Sequence, residues 1–232
     1  MKFSHYIFLF FSVSTVFSQE KKPISPIIEI DSLYREDQFY LGFTYNSLFN
    51  KPTGLSQNKF SSGFAIGFLR DMPINKRRTV AIALGLGLSY NKSFQNLLIT
   101  RTNQITSYSI IPAGVEYSKN KLDQFYVDVP LEFRWRTSTP ESHKFWRIYS
   151  GLKFSYLLSD KYVHIDTESN YKIHQNKDLN SLQVGTYITL GYNTWSFYAY
   201  YGLTPFYKSS AKINEEKIGL NTLNLGLMFY IL

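Results

Sequence analysis

From Gln38 onward, apolar and polar residues alternate along most of the chain. In residues 125–136, Phe125, Val127, Val129, Leu131, Phe133 and Trp135 fall on one face. Tyr126, Asp128, Glu132, Arg134 and Arg136 fall on the other. Period two is the mark of a strand with two different faces, whereas a helix would scatter the charges around its circumference. Residues 79–91 repeat the pattern, with Val80, Ile82, Leu84, Leu86, Leu88 and Tyr90 opposite Ala81, Ala83, Gly85, Gly87 and Ser89. Residues 180–193 repeat it again, with Leu182, Val184, Ile188, Leu190 and Tyr192 opposite Gln183, Gly185, Tyr187, Thr189 and Gly191. Weaker alternation marks 38–48, 60–70, 145–158, 196–207 and 219–231, which brings the predicted strands to eight. Pro130 and Pro205 fall inside two of them, and neither can donate a ladder hydrogen bond. A bulge or local break is expected at Pro130.

The connections alternate too. Residues 49–59, 92–121, 159–179 and 208–218 are long and polar, whereas 71–78, 137–144 and the step at Asn193–Trp195 are shorter. Long loops on one side and short turns on the other, around an even number of strands, are the pattern of an outer-membrane barrel with both termini in the periplasm. The predicted fold is all-β, a single eight-stranded antiparallel transmembrane β-barrel. A soluble β-sandwich also has short alternating strands. Against it stand outward aromatics near strand ends (Tyr90, Trp135, Trp146, Tyr192), where interfacial girdles sit.

Composition supports the barrel. The 232 residues include 19 Tyr, 19 Phe and 3 Trp, yet mean hydropathy is slightly negative. No run reaches the roughly 18–20 apolar residues of a spanning helix. There is no cysteine, which excludes disulfides, thiolate metal sites and a lipoprotein anchor. Lys2 followed by the apolar stretch 6–17 reads as a secretory signal cleaved near Ser18–Gln19. The expected organisation is a signal peptide over 1–18, a periplasmic tail over 19–37 and the barrel over 38–232. The net charge of +8 suits outer-membrane lipid and lipopolysaccharide phosphates, and no concentrated basic stripe points to nucleic acid.

Eight strands enclose an interior just wide enough to be filled by side chains. Arg70, Asp128, Glu132, Arg134, Arg136, Arg147 and Lys153 are expected to face it as a salt-bridged plug, since isolated ions there are costly. Lys76, Arg77 and Arg78 form a basic turn on the periplasmic side that could contact an acidic partner. His143 falls in another periplasmic turn, and His164, Asp166, Glu168 and His174 share the third external loop. A base and a carboxylate in one loop could support acid–base chemistry, but no nucleophile is placed beside them and a solvated loop explains them as well. Gly85-x-Gly87 lies inside a strand with no following helix, so it is not a phosphate loop. No catalytic residue, cofactor or metal site is expected.

Two longer strings carry a resemblance. Asp31-Ser32-Leu33-Tyr34-Arg35-Glu36-Asp37-Gln38-Phe39-Tyr40 leads into Gly42-Phe43-Thr44-Tyr45-Asn46. The run Gly63-Phe64-Ala65-Ile66-Gly67-Phe68-Leu69-Arg70-Asp71-Met72-Pro73-Ile74-Asn75 continues to Arg77-Arg78 and the Gly85-x-Gly87-x-Ser89-Tyr90 strand. Both resemble the PorT/SprT family of the Bacteroidota, and Tyr126-Val127-Asp128-Val129-Pro130-Leu131-Glu132 resembles a string of the wider group of small barrels. The resemblance implies a non-enzymatic outer-membrane barrel accessory to the type IX secretion system, and to gliding or adhesin export where present. Other components of that system are its implied partners. Folded cargo exceeds an eight-stranded lumen, so docking beside a larger translocon is expected rather than conduction. A structural or adhesive barrel is one alternative, and a lipid-modifying enzyme using His164 or His174 is another.

Overall fold

The computed structural model describes residues 35–138 and 145–231. The signal peptide, residues 19–34 of the tail, and the turn residues 139–144 with His143 lie outside the described residues. Thirteen strands follow in chain order: β1 (Gln38–Phe49), β2 (Ser62–Pro73), β3 (Val80–Phe94), β4 (Leu97–Thr102), β5 (Ile105–Ile110), β6 (Lys119–Arg136), β7 (Trp146–Ile165), β8 (Asn170–His174), β9 (Leu182–Tyr192), β10 (Trp195–Gly202), β11 (Lys212–Ile213), β12 (Glu216–Lys217) and β13 (Asn221–Ile231).

Eight of them close on themselves. The order β6-β3-β2-β1-β13-β10-β9-β7 is completed by pairing of β6 with β7, all antiparallel. Closure leaves the barrel no free sheet edge, so the spanning backbone groups pair between neighbouring strands apart from local interruptions, as a lipid environment requires. Alternation fixes the register, because a one-residue slip would turn each apolar face inward. Phe43, Leu86, Phe133, Ile148, Leu190 and Phe197 face out on a closed wall. That excludes a sandwich, whose apolar faces meet each other. Trp146 stacks with Tyr192 at 5.2 Å and Trp195 with Phe229 at 4.8 Å near the short-turn end, forming an aromatic girdle.

Short connections lie at one end with both ends of the barrel chain: residues 74–79, 137–145 and 193–194. The long ones lie at the other. The turn after β2 is held by Asn75, whose Oδ1 accepts from Val80 N at 3.0 Å, with Arg78 at φ 57°. The β9–β10 turn places Asn193 at φ 55°, a conformation asparagine tolerates well.

Three expectations need correction, the first only in part. Of the bulge or local break expected at Pro130, the bulge lies elsewhere, between Phe125 and Tyr126, where β7 carries an extra residue at Leu158. Pro130 keeps its register with Lys153, and the local break is present as an interruption of the ladder to β3 between Leu84↔Leu131 and Gly87↔Asp128. A missing N–H removes a bond without moving the strand. β10 ends at Gly202, so Pro205 lies beyond it rather than inside.

The third correction is larger. The segments 92–121 and 159–179 are not plain loops. β6 begins at Lys119 and β7 runs on to Ile165, and β8 pairs with that extension. The 18 residues of β6 extend about 60 Å at 3.3 Å per residue. Tilted by about 40°, that rises well above an apolar band of about 25 Å. Two small hairpins, β4–β5 and β11–β12, fold over the same end. Each turns on two left-handed residues, Asn103–Gln104 and Asn214–Glu215, as tight hairpins need.

Candidate functional site

The lumen is filled along its length, and its chemistry changes from one end to the other. At the short-turn end, Asp71 on β2 accepts from Arg136 Nη1 and Nη2 at 2.9 and 2.7 Å, and from Arg134 Nη1 at 3.0 Å. A fourth bond comes from the backbone N–H of Glu36 at 3.3 Å, so both carboxylate oxygens are saturated. Arg134 Nε donates to Glu132 Oε2 at 2.7 Å, and Tyr187 donates to Glu132 Oε1 at 2.9 Å. Asp71, Arg134 and Arg136 have no exposed side-chain surface. Low-dielectric burial makes such a network stable only while each member keeps its partners.

Aromatic rings hold the remaining cations. Arg134 lies 4.7 Å from the Tyr149 ring centre. Arg147 stacks over Phe145 at 4.7 Å and Tyr230 at 5.5 Å, while its Nε and Nη1 have no hydrogen-bond partner among the described residues. Higher in the lumen Lys153 Nζ sits 3.6 Å from Asp128 Oδ2 and 4.3 Å from the Tyr200 ring centre. Four buried carboxylates (Glu36, Asp71, Asp128, Glu132) thus accompany four cations (Arg134, Arg136, Arg147, Lys153). The inward glycines make room for tyrosines rather than for a channel. A Cβ on Gly87 would lie 2.0 Å from Tyr40 Oη, and one on Gly185 would lie 2.3 Å from the Tyr200 ring. Two cavities between these side chains, about 30 and 20 Å³, are large enough for only a water or two each.

Six of the seven predicted lumen residues come together in this way: Asp128, Glu132, Arg134, Arg136, Arg147 and Lys153. Arg70 does not. Its side chain points outward, more than half exposed, and meets Asp37 at 3.5 Å. The adjacent Asp71 takes the inward place. The sequence signal was present in Phe64, Ile66, Phe68 and Met72, which set even-numbered residues of β2 on the outer face. Tyr187 lies on the inner face as its alternation predicts, whereas Glu36, Tyr149 and Tyr230 were missed.

The basic turn has two parts. Lys76 and Arg77 are exposed, but the carbonyl of Arg78 accepts from Arg136 Nε at 3.0 Å. Asp37 Oδ1 likewise accepts from Asp71 N at 2.8 Å. The turn and the segment entering β1 are therefore both anchored to the buried network.

The opposite end is closed by hydrocarbon. Leu48, Leu55, Leu97, Ile99, Leu122, Tyr162, Ile173, Leu179, Phe206, Tyr207, Ala211, Ile213, Ile218 and Leu220 form one buried cluster drawn from all four long connections. Beside it Asn120 Nδ2 donates to the carbonyls of Gln95 and Leu97 at 2.6 and 2.9 Å, and Asn120 Oδ1 accepts from Tyr162. His164 belongs to β7 rather than to a loop. Its Nδ1 lies 3.1 Å from Asn120 Oδ1 and its Nε2 2.8 Å from Asp166 Oδ2. The bond from His164, with those from Ser169 and the Glu168 amide, holds the Asp166 carboxyl below the usual carboxylate range. His174 lies on β8 and its backbone carbonyl is engaged by Arg101. Asp166 is committed to its own turn, and no group of three or more His, Cys, Asp or Glu among the described residues is arranged to hold a metal ion.

The sequence matches the family model described as outer membrane protein beta-barrel domain over residues 17–208. The chain belongs to this family. Its barrel is thus one of the outer membrane, with the short turns on the periplasmic side and the hydrocarbon cap outside the cell. No curated protein matches the sequence. Two crystal structures of Ail, the attachment invasion locus protein of Yersinia pestis, resemble the fold. One, in complex with the heparin analogue sucrose octasulfate, has 13% identity and a TM-score of 0.40, covering 84% of this chain and 97% of that one. The other has 11% identity and a TM-score of 0.38, covering 85% and 99%.

Proposed function

We propose that this outer-membrane barrel is a non-conducting, non-enzymatic accessory of type IX protein secretion, of the PorT/SprT kind, which docks beside a larger translocon. The observation behind the non-conducting part is the filled lumen: charge at the periplasmic end, tyrosines at mid-height and hydrocarbon at the top. The secretory part rests on the strings around Asp31–Asn46 and Gly63–Asn75. Part of the first string lies on the segment anchored at Glu36 and Asp37, and the second contributes Asp71. The exposed Lys76 and Arg77 offer a periplasmic contact for an acidic component of the machinery.

Quantitative mass spectrometry of the secretome in a deletion strain, with a complemented control, tests the role. Loss of tagged cargo from the medium and its retention in the periplasm is the expected result. Unchanged secretion would remove the role and favour a structural or adhesive barrel. Altered lipid A in the same strain would instead point to lipid modification. Purified protein in planar bilayers is expected to pass no large solute.

A further inference from the structure

The extracellular extension exposes a strand edge with basic surroundings. β8 ends the nine-stranded sheet and pairs with β7 on one side alone. The bond from Asp166 N to Ser169 O at 2.9 Å sets the alternation along this hairpin. Tyr171 and Ile173 then turn their amides and carbonyls toward β7, while Asn170, Lys172 and His174 turn theirs away. The His174 carbonyl agrees with this: it accepts from a side chain, Arg101 Nη1, at 2.9 Å. Arg101 Nη2 also reaches the Gln175 carbonyl at 3.3 Å. Lys172, at the centre of the edge, faces an open groove.

That groove, about 730 Å³, separates β8 from the β4–β5 hairpin and is bordered by Thr100, Arg101, Asn103, Gln104, Lys172 and His174. Tyr171 bridges it from below, donating to the Ile99 carbonyl at 3.1 Å. No carboxylate among the described residues lines it; the nearby Asp160 is buried and accepts from Asn176 N at 3.1 Å. A second copy of the chain is a poor occupant. Two β8 edges paired about their centres would set Lys172 against Lys172, and like charges directly opposite each other are destabilising.

We propose that the β8 edge and its basic groove form a docking site for an extended acidic segment of a partner protein, which joins the extracellular sheet as an added strand. Backbone hydrogen bonds to Lys172 and Asn170 supply the attachment, and Arg101 and Lys172 select the acidic side chains. The site stands independently of the secretory role: normal secretion in a deletion strain leaves it intact.

The test uses the full-length protein in lipid nanodiscs and a fluorescein-labelled peptide of alternating glutamate and threonine, read by anisotropy. The glutamate peptide is expected to bind and its lysine counterpart to be rejected. N-methylation of the peptide amides that face β8 is expected to weaken binding about tenfold or more, as lost hydrogen bonds would. Lys172→Gln removes the charge alone. Lys172→Pro also removes the outward N–H while leaving the ladder to β7 in place, so it is expected to bind more weakly than Lys172→Gln at unchanged urea stability. Lys172→Glu is expected to reverse the preference toward the lysine peptide. Absence of binding by the glutamate peptide would overturn the proposal. So would equal binding of the N-methylated peptide, or a sulfated oligosaccharide competing equally with all three variants, because both would mean a merely electrostatic surface.

Discussion

The two ends of the lumen solve one problem with opposite chemistry. At the periplasmic end Asp71, Glu132, Arg134 and Arg136 are closed off from water by strands that stay inside the bilayer, so each charge must find its partner on the barrel wall. At the extracellular end the wall rises beyond the lipid, and Leu97, Ile99, Ile218 and Leu220 are buried by connections that can bend to meet each other. Directional interactions suit a rigid cylinder, where strand register fixes every side-chain origin. Hydrophobic contact suits folded-over hairpins, because it asks for burial and shape rather than aligned donors and acceptors.

The comparison breaks most sharply at Asp71. Asp71→Ala strands two buried guanidinium groups and is expected to destabilise the barrel by about 4 kcal/mol, measured by denaturant unfolding in bilayers or by loss of heat-modifiable gel migration. Leu220→Ala, at a fully buried cap position, is expected to cost about 3 kcal/mol. That loss should appear as faster hydrogen exchange in β4, β8 and β11, with the membrane strands unaffected. A comparable exchange increase in β1 and β2 would mean that the two ends are one cooperative unit.

Acid provides a smaller effect in the cap. Asp166 has its folded-state pKa lowered, so its stabilising contribution is present above the unfolded value near 3.9 and is lost as pH falls below it. The amides of Glu168 and Ser169, which donate to Asp166, are expected to lose protection below about pH 4, beyond the intrinsic pH dependence of exchange, and to stay constant above pH 5. Asp166→Asn should abolish that transition. The smallest effect belongs to Arg70→Ala, one residue from the largest. Its exposed pair with Asp37 is expected to contribute less than about 1 kcal/mol in the same unfolding assay.

That pair of neighbours also marks how far the sequence could be read. Alternation located all eight barrel strands, their faces in β3, β6 and β9, and the asymmetry of the connections, because lipid and lumen impose opposite demands on successive residues. It failed at Arg70–Asp71, because the predicted strand stopped at residue 70 and left Asp71 in the turn, whereas β2 runs on to Pro73 and its aromatic frame turns Asp71 inward. The cap was invisible for a different reason. Leu55, Leu97, Ile173, Leu179 and Phe206 are scattered among polar residues, and each is buried by partners remote in sequence rather than by a local pattern. Its hairpins turn on Asn103–Gln104 and Asn214–Glu215, which lack the glycine that usually signals a tight turn. The plug was legible as a set of charges. Apart from Tyr126 and Tyr187 its tyrosines were not, since a tyrosine suits the lumen, the girdle and the core alike.

Strand β1 is joined to β13 over eleven residue pairs, Phe39↔Ile231 through Phe49↔Asn221. The first strand translated therefore waits for the last before it acquires one of its two neighbours. Until then both margins of the growing sheet carry unsatisfied amides, open to pairing with any other chain. Loop closure over nearly the whole polypeptide also makes this a slow step. The seam turns a static ring into a schedule: the cylinder cannot be finished during synthesis. The chain must be kept apart from its own copies from the ribosome to the membrane.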